Sequence, residues 1–157
     1  MLNRRSMILG SLSSLTLLST GLGYAESTEN FQVAAHSKLD LQEISAQELS
    51  KVFSGRRRDW SSSTPVQLVL LPSGSPEMTW LCRQLKVPEH LLRRFIYQRV
   101  YRAQLRKPIE VNTSEEALMV VKSTPGAVAP LQLTEELQSR LDELQKRSAV
   151  SLIKLSS

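Results

Sequence analysis

The run Val66-Gln67-Leu68-Val69-Leu70-Leu71 constrains this chain more than any other feature. Six residues with one polar interruption cannot pack against water on either side. Such a run fits a strand covered on both faces, as in parallel sheets. Helix signals surround it. Ser45-Ala46-Gln47-Glu48 has the capping-box spacing, in which the hydroxyl and the carboxylate each satisfy a free backbone donor, and Ile44 and Leu49 stand at staple positions. Gly55 supplies the stop. Ser75-Pro76 marks an N-cap followed by proline at the first helical position, and that helix extends to about Leu85.

The pattern repeats downstream. Val87-Pro88 starts a longer helix with Leu91, Leu92, Phe95, Ile96 and Val100 on its apolar side, and a break falls at Lys107-Pro108. Thr113 to Glu116 caps a helix through Lys122, and Thr134 opens the last one, with Leu137, Leu141 and Leu144 on one face. Strand candidates are Phe31–Ala35, Ile109–Val111, Ala127–Ala129 and Val150–Leu155, and residues 56–65 read as a loop. Strands alternating with helices give an α/β fold with a mostly parallel sheet flanked by helices.

The N-terminus reads as a signal peptide over residues 1–25. Asn3-Arg4-Arg5 forms a basic start, Met7–Leu18 an apolar stretch, and Gly23-Tyr24-Ala25 a cleavage site with small residues at the required places. The stretch is too short and too rich in Ser and Thr for a membrane span of about 20 apolar residues. Arg4-Arg5 leaves both the Sec and the twin-arginine routes open. Taking 25 residues from 157 leaves 132, residues 26–157, enough for one domain with its own core. The leader removes two arginines and no acid, so the net charge falls from +5 to +3. A charge this small does not imply nucleic acid. The expected location is periplasmic or secreted.

Cys82 is the one cysteine, so no internal disulfide forms, and its place beside Met78, Leu81 and Leu85 makes it a small buried hydrophobe. His36 and His90 stand in no metal-ligand spacing with it, and no Gly-x-Ser-x-Gly elbow occurs. Neither a metal, a cofactor nor a catalytic constellation is expected.

The order of features resembles the substrate-binding proteins of phosphate-type ABC transporters. The residues that carry it are Ile44 to Gly55, Trp60, Pro65-Val66 with the buried strand, Gly74-Ser75, Arg106-Lys107-Pro108 and Ser123 to Ala129. The resemblance implies a periplasmic-binding-protein-like fold and a non-enzymatic solute-binding role. Members of that family close two lobes on an anion, and this chain has room for about one. Their Gly-Ser turn carries an Arg shortly before it and Gly-Thr after it; here those places hold Leu71, and Pro76 with Glu77.

Ser73, Gly74 and Ser75 are the candidate anion-binding residues. A turn that opens a helix presents free N–H groups and the positive dipole end, two hydroxyls can add donors, and glycine lets a ligand come close. Phosphate or another small oxyanion is the ligand this implies. Against it, Pro76 removes one N–H and Glu77 puts a carboxylate in the first turn. The plain alternative is that Ser75 only caps the helix.

A second candidate surface is Arg56-Arg57-Arg58, which would contact a periplasmic or membrane protein partner. This belongs to the alternative reading, an interaction or regulatory domain that has lost its ligand. The arginines of the long helix, with Tyr97 and Tyr101 one turn apart, are a solvated face.

Overall fold

A computed structural model of the chain describes residues 30–156, so the leader assigned to residues 1–25 lies outside the described residues. The apolar run forms β5 (Gln67–Leu70), with every residue buried. β5 lies between β7 (Ala127–Leu133) and β6 (Ile109–Glu110) and runs parallel to both. The six-stranded sheet has the order β2-β8-β1-β7-β5-β6, where β1 is Asn30–His36, β2 is Glu43–Ser45 and β8 is Val150–Ser156. β2 and β8 are also parallel. The sheet is therefore mostly parallel, and β1 is the strand that departs: it runs antiparallel to β7 and to β8, with Val33 opposite Pro130 on one side and Ile153 on the other.

The helices form where local chemistry places them. Ser45 accepts from the N–H of Glu48 at 3.1 Å and opens α1 (Ala46–Phe53), which buries Leu49, Val52 and Phe53. Ser75 opens α2 (Pro76–Leu85) and Thr134 opens α5 (Glu135–Lys146) by the same bond. α3 spans Glu89–Tyr101. α4 (Ser114–Ser123) starts with two cap bonds: Thr113 accepts from the N–H of Glu116, whose carboxylate accepts from the N–H of Asn112, one residue before the cap, at 2.8 Å. α2, α4 and α5 pack on the sheet, and α1 and α3 pack on α2. Phe31 and Trp80 stack with ring centroids 5.6 Å apart.

Besides β2, which no strand candidate covered, three elements differ from expectation. Residues 56–65 carry a small hairpin, β3 (Asp59–Ser61) with β4 (Thr64–Pro65), in place of a plain loop. β7 continues through Pro130 to Leu133. The residues it pairs with β5 are only Ala127 and Val128, so the N–H that Pro130 lacks breaks no bond to β5. Phe95, assigned to the apolar side of α3, is 42% exposed, while Leu92 and Ile96 carry the buried face.

Candidate functional site

The chain leaves β5 through Leu71 and Pro72 and turns at Ser73-Gly74 into α2. The N–H of Ser75 donates to the carbonyl of Pro72 at 3.1 Å. Gly74 has φ +78, the left-handed region, and the space a Cβ would enter is open. Ser75 is the N-cap: its hydroxyl accepts from the N–H of Met78 at 3.3 Å. Of the three sequence-derived ligands, Ser73 and Gly74 face an anion and Ser75 is committed to its helix.

That anion is part of the protein. The carboxylate of Glu89, at the start of α3, accepts from the N–H of Gly74 at 3.0 Å. The Ser73 hydroxyl is close enough to help hold the Glu89 pKa down. Arg93, one turn along α3, donates through Nε to Glu89 at 2.7 Å and through Nη2 to the carbonyl of Leu71 at 2.6 Å. Both side chains are mostly buried, at 18% and 19% exposure. Burial alone would raise the pKa of Glu89. The bonds from Arg93 and Gly74, with the Ser73 hydroxyl beside them, outweigh it and hold the group below its ordinary value of 4.5.

The donors of the turn thus hold a carboxylate of the chain itself, and a guanidinium, absent at position 71, arrives from α3. Glu89 was not singled out by sequence reasoning, and Arg93, read there as part of a solvated arginine face, is instead mostly buried and bonded. The available signal was their i, i+4 spacing at a helix start, which also describes an ordinary surface pair. Glu77 was expected to set a charge against the turn. Its carboxylate instead accepts from Ser114 at 2.6 Å, and Ser114 accepts from the N–H of Gln132 at 3.0 Å. Glu77 is buried and joins α2 to α4 and β7.

The three loop arginines do different things. Arg57 lies over the Trp60 ring at 5.1 Å, donates to the carbonyls of Asp59 and Trp60, and stands 3.5 Å from Glu48. It holds the hairpin together. Arg56 and Arg58 are exposed. Tyr97 donates its hydroxyl to Glu110, a bond that raises the Tyr97 pKa together with burial, and Tyr101 is 93% exposed. The Nδ1 of His36 accepts from the N–H of Lys38 at 3.2 Å; burial and the Lys38 charge lower its pKa. His90 is exposed. Among the described residues no three His, Cys, Asp or Glu side chains gather as a metal-binding set.

The sequence matches no protein-family model and no curated protein. Among solved structures, the fold is similar to PstS from Borrelia burgdorferi, with a TM-score of 0.56 at 14% identity over 81% of this chain. The chain spans 47% of the length of that protein. At this identity the likeness is one of fold.

Proposed function

We propose that the chain is an exported, non-enzymatic solute-binding-like module whose oxyanion turn is closed by its own carboxylate. In this reading residues 1–25 are a cleaved leader, by the Sec or the twin-arginine route, and residues 26–157 are the working domain, periplasmic or secreted. The observation that carries it is the Glu89 carboxylate on the N–H of Gly74, held by Arg93 with Ser73 beside it. A turn that holds a carboxylate through a backbone N–H and a guanidinium, with a hydroxyl beside it, has the donors that a phosphate or sulfate oxygen needs. The fold shared with PstS and the sequence resemblance to phosphate-type binding proteins support the same class.

An external oxyanion must displace Glu89, so the wild-type protein binds phosphate weakly. Isothermal titration with phosphate and with sulfate tests this on wild type, Glu89→Ala and the double variant Glu89→Ala, Ser73→Ala. Saturable binding that appears or tightens in Glu89→Ala and weakens when Ser73 is also removed supports the reading. No heat from any of the three sinks it.

The alternative, an interaction or regulatory domain without a small ligand, is favoured by how well Glu89 satisfies the turn. Its partner would be a periplasmic or membrane protein that meets exposed Arg56 and Arg58. A pull-down that retains every partner after both arginines become alanine counts against that surface. Arg57 is unsuitable for the test because it braces the hairpin.

A further inference from the structure

We propose a second site, separate from the turn: the groove between α1 and α3 takes a small organic anion, an apolar body bearing a carboxylate or a phosphate. The groove is a cavity of about 260 Å³. Arg56, Arg99 and Arg102 line it together with Ser54, Leu92 and Phe95, and none of its lining residues is acidic. None of the three arginines forms an ion pair among the described residues. Three guanidinium groups around one cavity repel each other, and an anion between them removes that repulsion.

Helix electrostatics explain part of this arrangement only. Arg99 and Arg102 stand at the C-terminal end of α3, where positive charge suits the dipole. Arg56 follows the C-terminal end of α1 and suits that helix's dipole in the same way, but neither dipole requires the three charges to share one cavity. The stem of Arg99 is also held in place. Gly55 has φ +73, and a Cβ there would stand 2.7 Å from Cδ of Arg99. The glycine that ends α1 therefore lets the arginine lie across it, which orients one wall of the groove before any ligand arrives.

The remaining lining decides what kind of anion fits. Phe95 keeps 42% of its surface open, whereas Leu92 is already buried at 1% exposure and only backs the wall. A bare inorganic ion would leave this apolar surface wet, whereas a ring or short aliphatic body covers it. The volume lies below the range of about 300–1,000 Å³ for drug-sized pockets, so the ligand is small.

Phenyl phosphate is the probe, with inorganic phosphate and benzyl alcohol as charge-only and apolar-only controls. Amide chemical shifts are followed during titration of the protein. The expected result is saturable shifts at Ser54, Phe95 and Arg102 with Gly74 unmoved, and affinity at least about tenfold above either control, the factor that about 1.4 kcal/mol represents. Arg99→Met with Arg102→Ala keeps the stem on Gly55, removes two charges and lowers affinity at least about tenfold. Shifts centred on Gly74, equal binding of benzyl alcohol, undiminished affinity in the double variant, or no shift at millimolar probe would each overturn the proposal.

Discussion

The indole N–H of Trp60 donates to the carbonyl oxygen of Gly126 at 2.9 Å, across 66 residues of sequence. The N–H of Gln67 reaches the same oxygen at 3.0 Å. One carbonyl thus gathers the hairpin, the start of β5 and the approach to β7. Trp60, Pro65 and Gly126 all carry the resemblance read in the sequence, and here they meet.

Gly126→Ala is expected to destabilise the fold by roughly 3 kcal/mol or more. Gly126 has φ +81, and a Cβ there would stand 2.1 Å from the carbonyl oxygen of Pro65, a backbone atom that cannot swing aside. Trp60→Phe removes one donor from an acceptor that keeps Gln67 and costs about 1 kcal/mol in hydrogen bonding. Urea unfolding of the two variants orders them; a Gly126→Ala protein as stable as wild type would contradict the geometry.

The Glu89 latch gives stability that depends on pH. The pKa of Glu89 in the folded protein lies below 4.5, its ordinary value. Its contribution is therefore complete above that value and is lost as pH falls through the folded-state pKa. Glu89→Gln should cost about 1 kcal/mol at neutral pH, and the gap to wild type should close on acidification. Urea midpoints measured from about pH 7 down to about pH 3 check this; a gap independent of pH argues against a charged latch.

Arg93 serves two acceptors, Glu89 and the carbonyl of Leu71. Arg93→Leu strands both and should cost about 2–3 kcal/mol; Arg93→Lys, with no planar fork, should recover only part. A double-mutant cycle of Arg93→Leu with Glu89→Ala should show coupling of about 1 kcal/mol or more. Additive losses would mean the two side chains act independently.

The Cys82 thiol should be unreactive in the native protein. It is 8% exposed, and burial together with the nearby Glu89 charge pushes its pKa up, with Arg93 opposing. Only the thiolate attacks disulfide reagents. Labelling with a disulfide reagent should follow the rate of unfolding and become fast in urea; rapid native labelling would refute the burial.

Much of the local structure was readable from neighbouring residues. Ser45, Ser75, Thr113 and Thr134 each cap the helix their spacing foretold, because the bond joins residues three apart. The burial of β5 followed from its unbroken apolar side chains. Phe95 was misplaced because its helical position is apolar by spacing, while no packed element covers it; it borders the groove between α1 and α3.

The sequence by itself determined the helix starts, the buried strand, the α/β class and the glycine turn before α2. Each depends on interactions within a few residues, or on a periodicity that water imposes. Only the tertiary structure decided that β1 runs against its neighbours, because alternation carries no strand direction. Only it decided that residues 59–65 pair as a hairpin anchored on Gly126, and that Glu77 turns toward Ser114. The filling of the turn belongs there too: Glu89 follows Gly74 by 15 residues, and α3 must pack back on α2 before its carboxylate reaches that N–H.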